Sequence, residues 1–204
     1  MAKAVSPSNT ITRGQAAKFS DLQVAALCKS DLPSDITQQV LEQNGAALAA
    51  EFVASVRRHV EARSDTIVRH AKVNRTLTQE QMIGATGRKQ YVDKNVLAAI
   101  PKGEGEEVDV HFFKLGRYIK VGDLTKEYEL RGLKPDHYAQ AAVNEADPAF
   151  ADERPNATQW QDANGKFCYL TFGRWSDVRT VFCDRYDVGW GGGWWFAGVP
   201  VAGK

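Results

Sequence analysis

The sequence predicts an α+β protein in which N-terminal helices precede a domain built on a small, mostly antiparallel sheet. Two observations support this class. Apolar residues recur at helical spacing in the first third of the chain, whereas short runs of β-branched and aromatic residues, separated by glycine turns, crowd its C-terminal part. Because the periodicity changes near Ser64, we divide the chain into a helical region, residues 1–63, and a second domain, residues 64–204.

The helical region is predicted to contain two helices. Phe19, Leu22 and Ala26 lie at helical spacing in the first, and Pro33 separates it from a second helix that begins at Ser34. The second helix carries a narrow apolar stripe, formed by Leu41, Leu48, Phe52, Val56 and Val60. Such a stripe packs on the rest of the chain or on a partner helix. We expect an intramolecular core face, and homo-oligomerisation through these helices is the alternative.

The middle of the chain is predicted to contain, in order, a strand, two helices, a strand and two helices. These are residues 66–73, 78–83, 93–100, 108–113, 123–132 and 135–148. Thr78 and Gln81 match a capping box, which marks the start of the first of these helices. Val108, Val110 and Phe112 occupy alternate positions, which predicts a strand with one buried face. A polar loop is expected at residues 152–156.

The C-terminal part is predicted to form four short strands, residues 159–162, 167–174, 179–185 and 194–199. It holds every tryptophan of the chain, namely Trp160, Trp175, Trp190, Trp194 and Trp195. In the third strand the pleat sends Val181 and Cys183 to one face. The opposite face receives aromatic, hydroxyl and charged side chains, from Thr180, Phe182, Asp184 and Tyr186, and such a mixture suits a recognition surface. The glycine-rich residues 189–194 are interpreted as a flexible turn.

Composition and motif spacing exclude several classes of function. The formal net charge of +1 is spread along the chain and forms no basic stripe, so no nucleic-acid partner is expected. The cysteines and histidines lack the spacing of metal ligands or of a nucleophile motif, so we predict no metal, no cofactor and no catalytic residue. The cysteines, Cys28, Cys168 and Cys183, are expected to be buried. The histidines, His59, His70, His111 and His137, are expected at the surface or half-buried.

We therefore predict a binding protein rather than an enzyme, since the aromatic C-terminal strands are the strongest compositional signal. No apolar run approaches the length of a membrane span, and the N-terminus lacks the apolar segment of a secretory signal. A cytoplasmic location is the default expectation, with surface display by a non-classical route left open.

Five stretches of the second domain carry a family resemblance: residues 85–91, 101–105, 128–135, 141–152 and 194–199. They resemble a family of uncharacterised proteins from candidate-phylum bacteria that look like variable proteins of diversity-generating retroelements. The resemblance covers Thr78 to the C-terminus. It implies a C-type-lectin-like fold with a hypervariable C-terminal segment, which reverse transcription rewrites by randomising template adenines. It also implies a receptor or adhesin whose protein ligand is unknown.

The resemblance implies a set of ligand-binding positions. When the adenines of a pyrimidine-ending Asn codon are randomised, the codon never becomes one for Lys, Glu, Gln, Met or Trp. Each candidate position carries a residue type that a randomised Asn codon or a randomised Asp codon can encode. They are Gly173, Ser176, Asp177, Thr180, Phe182, Asp184, Tyr186, Val188, Gly189, Gly191, Gly192 and Gly193. The tryptophans, with Arg174 and Arg185, are interpreted as scaffold. The chain departs from the family pattern after Val199, and it lacks the lectin calcium motifs, so metal-dependent sugar binding is not implied.

Two alternatives stay open at the level of sequence. C-type-lectin-like scaffolds also host formylglycine-generating oxidoreductases, which use a cysteine pair, and here Cys168 and Cys183 are the candidates. The other alternative is an assembly protein that oligomerises through the stripe between Leu41 and Val60.

Overall fold

The computed structural model describes residues 11–61 and 63–201. Over these residues the chain forms seven helices and ten strands, so the α+β class and the N-terminal helices are confirmed. The chain divides into two compact units, Met1–Arg58 and His59–Lys204. None of the helices in the described ranges is both long and apolar enough to cross a membrane.

The N-terminal unit consists of α1 (Arg13–Cys28) and most of α2 (Ser34–Glu61). Thr12 caps α1, because its hydroxyl accepts a hydrogen bond of 3.2 Å from the backbone N–H of Gln15. Pro33 precedes α2 as predicted. No residue that the structure describes in either helix is buried, so the predicted stripe forms no core within this unit.

The second unit contains the remaining elements in chain order: β1 (Thr66–Lys72), α3 (Gln79–Ala85), β2 (Lys89–Val92), α4 (Lys94–Ala98), β3 (Glu107–Lys114), β4 (Ile119–Lys120), α5 (Val121–Leu130), β5 (Leu133–Pro135), α6 (His137–Ala146), α7 (Phe150–Glu153), β6 (Asn156–Gln161), β7 (Phe167–Trp175), β8 (Val178–Arg185), β9 (Gly189–Trp190) and β10 (Trp195–Pro200). The predicted strands and helices are present. The additional elements are β2, β4, β5, β9 and the short helix α7, which reaches into the predicted polar loop.

The main sheet is larger than the small sheet predicted. Seven strands follow the order β1-β3-β10-β6-β7-β8-β2, and β5 pairs with β10 as an eighth. Most neighbours are antiparallel, while β10–β6 and β2–β8 are parallel. A separate two-stranded sheet joins β4 to β9. The two parallel pairs bring together segments that lie far apart in the chain.

The sheet is buried on both faces near its centre. Helix α6 packs against β1, β3 and β10 on the side that holds Phe112. On the other side α5 contributes Tyr128, whose ring meets that of Phe113 at 5.1 Å and whose hydroxyl donates to the Ala197 carbonyl at 2.9 Å. The prediction of one buried face for β3 is therefore wrong, because α5 covers the second face at Phe113.

A buried polar network attaches α6 to β6. The imidazole Nδ1 of His137 lies 2.6 Å from the Thr158 hydroxyl, which donates to Gln140 at 2.6 Å. Gln140 and Asn144 both donate to the side-chain oxygen of Asn156. His137 is 2% exposed, and burial lowers the pKa of its imidazole to about 3. The expected surface or half-buried placement is therefore wrong for His137, which is a neutral core side chain.

Candidate functional site

The candidate site begins with the β7–β8 hairpin, which is closed by a two-residue turn. Trp175 pairs with Val178, and the intervening Ser176 and Asp177 have φ angles of 47° and 66°. Two successive positive φ angles are typical of the type I′ turn, whose twist matches that of the flanking strands. The hairpin is therefore tight, and both turn residues occupy backbone conformations that favour Gly, Asn and Asp.

Six aromatic side chains from β2, from the β7–β8 hairpin and from the residues after it form a continuous row of ring contacts. We call it the aromatic row: Tyr91, Phe182, Trp175, Trp194, Trp190 and Tyr186. Tyr91 stacks on Phe182 with ring centroids 4.9 Å apart, and Trp175 meets Phe182 edge to face at 5.3 Å. Tyr91 is 45% exposed and Trp175 40% exposed, so one end of the row is accessible to a ligand.

The other end of the row is anchored in the protein. The indole N–H of Trp190 donates to the Gln159 side chain at 2.9 Å, and the Gln159 amide donates in turn to the Val121 carbonyl at 2.7 Å. Trp190 also contacts Phe196 in the core, with ring centroids 5.8 Å apart. The row therefore connects the buried Trp190 to the exposed rings of Trp175 on the hairpin and Tyr91 on β2.

Tyr91 is the functional candidate that sequence reasoning missed. It lies in β2, which pairs in parallel with β8 and places Tyr91 opposite Phe182. Lys89, on the same strand, holds its ammonium 5.2 Å from the Tyr91 ring centroid. A strand of four residues carries almost no periodic signal, and only its pairing with β8 brings Tyr91 to the site.

The predicted binding residues do not share one environment. Gly173, Thr180 and Gly189 are buried, whereas the other nine are exposed or half-buried: Ser176, Asp177, Phe182, Asp184, Tyr186, Val188, Gly191, Gly192 and Gly193. The outward placement predicted for Thr180 is wrong, since it is only 3% exposed. Thr180 lies between Gly173 on β7 and Lys89 on β2, and the Trp175 ring covers Gly173. Its neighbours on both strands thus remove it from solvent.

The glycine-rich segment contacts a second backbone segment of the chain. Strand β9 pairs with β4, with Ile119 opposite Trp190. The Tyr118 hydroxyl donates to the Val188 carbonyl at 3.2 Å, and the Tyr186 hydroxyl donates to the Gly189 carbonyl. The turn interpreted in residues 189–194 is present at 191–194, where the Trp194 N–H donates to the Gly191 carbonyl at 3.3 Å. Residues 189–190 instead form a strand, along which residues 116–120 pack.

This packing divides the glycines of the segment into two classes. A β-carbon at Gly189 would lie 2.6 Å from the Ile119 carbonyl oxygen and would also clash with Tyr118. One at Gly192 would lie 2.8 Å from both the Arg117 nitrogen and a Gly116 backbone carbon. We call these positions closed. At Gly191 and Gly193 nothing lies within 4 Å of the added atom, and we call these positions open.

Charged side chains near the aromatic row form ion pairs with carboxylates of neighbouring elements. Arg179 makes a bidentate contact with Asp152, whose carboxylate lies 2.7 Å from one guanidinium nitrogen. The hydrogen bonds from Arg179 are the main cause of the lowered pKa of Asp152. Arg174 is 3.6 Å from Asp152, and Arg185 lies 3.4 Å from Asp162. Both Arg174 and Arg185 thus bind neighbouring carboxylates.

The two cysteines of the sheet, one on β7 and one on β8, lie in the core. Cys168 and Cys183 are buried, at 1% and 0% exposure. Burial raises the pKa of both thiols, that of Cys183 to about 12. The thiolate is the nucleophilic form of cysteine, and this environment disfavours it. Cys28 is exposed, so its predicted burial is wrong.

Within residues 11–61 and 63–201, no group of His, Cys, Asp or Glu side chains is arranged to hold a metal ion. Comparison of the chain with protein-family models, curated proteins and solved structures yields no match. The aromatic row and the open positions beside it are therefore the features from which we infer a function.

Proposed function

We propose that this chain is a ligand-binding protein of the receptor or adhesin type, whose second unit displays diversifiable residues to a protein ligand. The observation that carries the proposal is the aromatic row, with exposed rings at one end and a hydrogen-bonded, buried tryptophan at the other. Aromatic side chains dominate the energetics of protein interfaces. Because paired strands and packed rings already hold these side chains, little conformational entropy is lost on binding.

The positions best suited to variation are fewer than the twelve predicted. They combine full or partial solvent exposure with a backbone that lies outside the positive-φ region, and they are Phe182, which is half-buried, and Asp184, Val188, Gly191 and Gly193, which are exposed. Ser176 and Asp177 are exposed, but their positive φ angles restrict the residues they accept. Tyr186 binds the Gly189 carbonyl and so contributes to the loop itself. We call the five positions the display set.

The proposed fold of the second unit is C-type-lectin-like. Its support is the family resemblance between Thr78 and the C-terminus, together with a coarse architecture that agrees with it. That architecture is a mixed, largely antiparallel sheet with helices on both faces and an irregular region in front of the last strand. In the proposal, this region and the β7–β8 hairpin form the ligand surface, and the tryptophans hold them.

The proposal is tested by sequencing the gene from many cells of one population, together with the neighbouring DNA. We expect amino-acid differences concentrated in the display set, and a nearby near-copy of the codons for residues 172–196 that differs only at adenines. We also expect the closed glycines to stay constant, because an added β-carbon would clash with backbone atoms, and Trp190 to stay constant, because its indole N–H donates to the buried Gln159. A uniform gene without a near-copy, or variation spread evenly over both units, would contradict the proposal.

A further inference from the structure

One edge of the main sheet, strand β2, has a free row of backbone groups. Strand β2 ends the strand order and pairs with β8 alone, and the N-terminal unit connects to the sheet at β1, the opposite end of that order. The Asp93 N–H donates to the Cys183 carbonyl at 2.8 Å, which fixes the alternation of this parallel pair. Tyr91 therefore directs its N–H and C=O to β8, whereas those of Gln90 and Val92 point away from the sheet. Among the described residues these outward groups have no backbone partner, and such an edge is a template for another strand.

The side chains of this edge carry charges that complement one another in an antiparallel pair. Lys89, Tyr91 and Asp93 occupy alternate positions of extended backbone, so their side chains project to one side of the sheet. Lys89 is exposed and takes part in no ion pair of the described ranges, and Asp93, which lies 3.4 Å from Arg185, keeps a side chain that is 32% exposed. A lysine on an edge strand commonly opposes pairing. When two β2 strands pair antiparallel about Tyr91, however, Lys89 of each copy lies opposite Asp93 of the other.

The same register also pairs the free backbone groups. Centring the pair on Tyr91 places Gln90 of one copy opposite Val92 of the other, and these are the residues whose N–H and C=O groups face outward. Opposed residues of this kind exchange both of their N–H···O bonds in an antiparallel ladder. A shift by one residue would oppose an outward-facing residue to an inward-facing one and lose these bonds. The two Tyr91 residues form the non-hydrogen-bonded pair, in which the side chains are closest.

We propose that two copies of this chain associate by antiparallel pairing of their β2 strands about a two-fold axis at Tyr91, which joins two main sheets into one. A two-fold interface uses the same patch on both copies, and β2 meets this condition because its charges and its backbone groups are both self-complementary. The paired strands are short, so we expect a reversible dimer rather than a permanent one. Pairing brings together the Tyr91 ends of two aromatic rows. The association goes beyond the proposed ligand binding and stands whether or not the display set varies between cells.

Cysteine cross-linking of the full-length chain tests the register. The background is Cys28→Ser, because Cys28 is exposed whereas the other two cysteines are buried. Tyr91→Cys places two thiols opposite one another with Cα atoms about 4.5 Å apart, a separation that a disulfide spans. The matched control is Gln90→Cys, whose two copies are offset along the strands so that their Cα atoms are about 8 Å apart, beyond the reach of a disulfide. Under mild oxidation we expect a disulfide-linked dimer for Tyr91→Cys and a monomer for Gln90→Cys on a non-reducing gel.

Charge reversal provides a second measurement, the dissociation constant from sedimentation over a concentration series. Lys89→Glu places an acid opposite Asp93 on both sides of the axis and should raise the dissociation constant about tenfold or more. The matched control is Lys72→Glu, the same change at an exposed lysine on the edge strand β1, which should leave the dissociation constant within about threefold.

Tryptophan fluorescence checks folding of the second unit in every variant, as all five tryptophans belong to it. Three results would overturn the proposal: a monomer at every concentration up to about 1 mM, cross-linking of Gln90→Cys as readily as of Tyr91→Cys, or a dimer weakened by Lys72→Glu rather than by Lys89→Glu. Failure here leaves the ligand surface untouched, since gene variation tests that surface separately.

Discussion

The division of the glycine-rich segment into closed and open positions makes a prediction about four similar substitutions. Gly189→Ala and Gly192→Ala each add one methyl group where backbone atoms lie within 2.6 to 2.8 Å. Real β-carbon contacts are essentially never this short, so residues 116–120 must move, and overpacking of this kind costs about 1–3 kcal/mol. We expect both variants to lose stability by that amount.

Gly191→Ala and Gly193→Ala are the matched controls, with the same chemical change in the same short segment. Neither added methyl group meets an atom within 4 Å, and neither glycine has a positive φ angle. Replacing such a glycine by alanine reduces the entropy of the unfolded chain and stabilises a protein by about 0.4–1 kcal/mol. The closed and open classes should therefore differ by about 1.5–4 kcal/mol in the free energy of unfolding.

The assay is urea unfolding followed by tryptophan fluorescence, which reports the second unit because Trp190 and Trp194 lie in the segment itself. The slope of each transition is compared with that of the wild type, so that a changed midpoint can be read as changed stability. If all four variants agree within about 0.5 kcal/mol, residues 116–120 do not clamp the segment, and the distinction between closed and open positions is refuted.

Two further predictions concern buried titratable groups. Burial lowers the pKa of the His137 imidazole to about 3 in the folded protein, whereas the pKa in the unfolded chain is near 6.5. The stability that this neutral side chain contributes is therefore complete above pH 6.5 and is lost as the pH falls towards 3. In an NMR titration its imidazole resonances should not shift between about pH 7 and pH 5, and a midpoint near 6.5 would contradict the buried network. An aromatic disulfide reagent should modify one thiol per native chain, at Cys28, and all three after denaturation; rapid native reaction of Cys168 or Cys183 would instead favour the oxidoreductase alternative.

Elements with local signals were predicted well. Pro33 and Ser34 mark the start of α2, and the capping box of Thr78 and Gln81 is present at the start of α3, where the Thr78 hydroxyl accepts from the Gln81 N–H at 3.2 Å. The alternation in β8 was also correct for Val181 and Cys183, which are fully buried. These signals depend on neighbouring residues, so one sequence is sufficient to read them.

The errors have a different origin. The pleat assigns Thr180 and Phe113 to a face, but it does not say what packs on that face. In the folded chain α5 covers Phe113, and Thr180 is buried between its neighbours on β7 and β2. Strand β2 was missed because four residues show no periodicity, and with it the contribution of Tyr91 to the aromatic row was missed. Each of these outcomes involves a segment distant in sequence, namely α5 or the partner strand in the β2–β8 pair.

The sequence by itself determined the α+β class, the starts of the capped helices and the alternation of the C-terminal strands, because caps and pleats are interactions between residues close in the chain. Only the tertiary structure decided which of the candidate residues reach solvent and which glycines accept a side chain. Gly191 and Gly192 are identical in sequence terms, yet the backbone of Arg117 closes one and leaves the other open. The exposure of a position is set by the segment that packs against it. Here that segment is residues 116–120, which lie more than seventy residues before Gly191 and Gly192 in the chain.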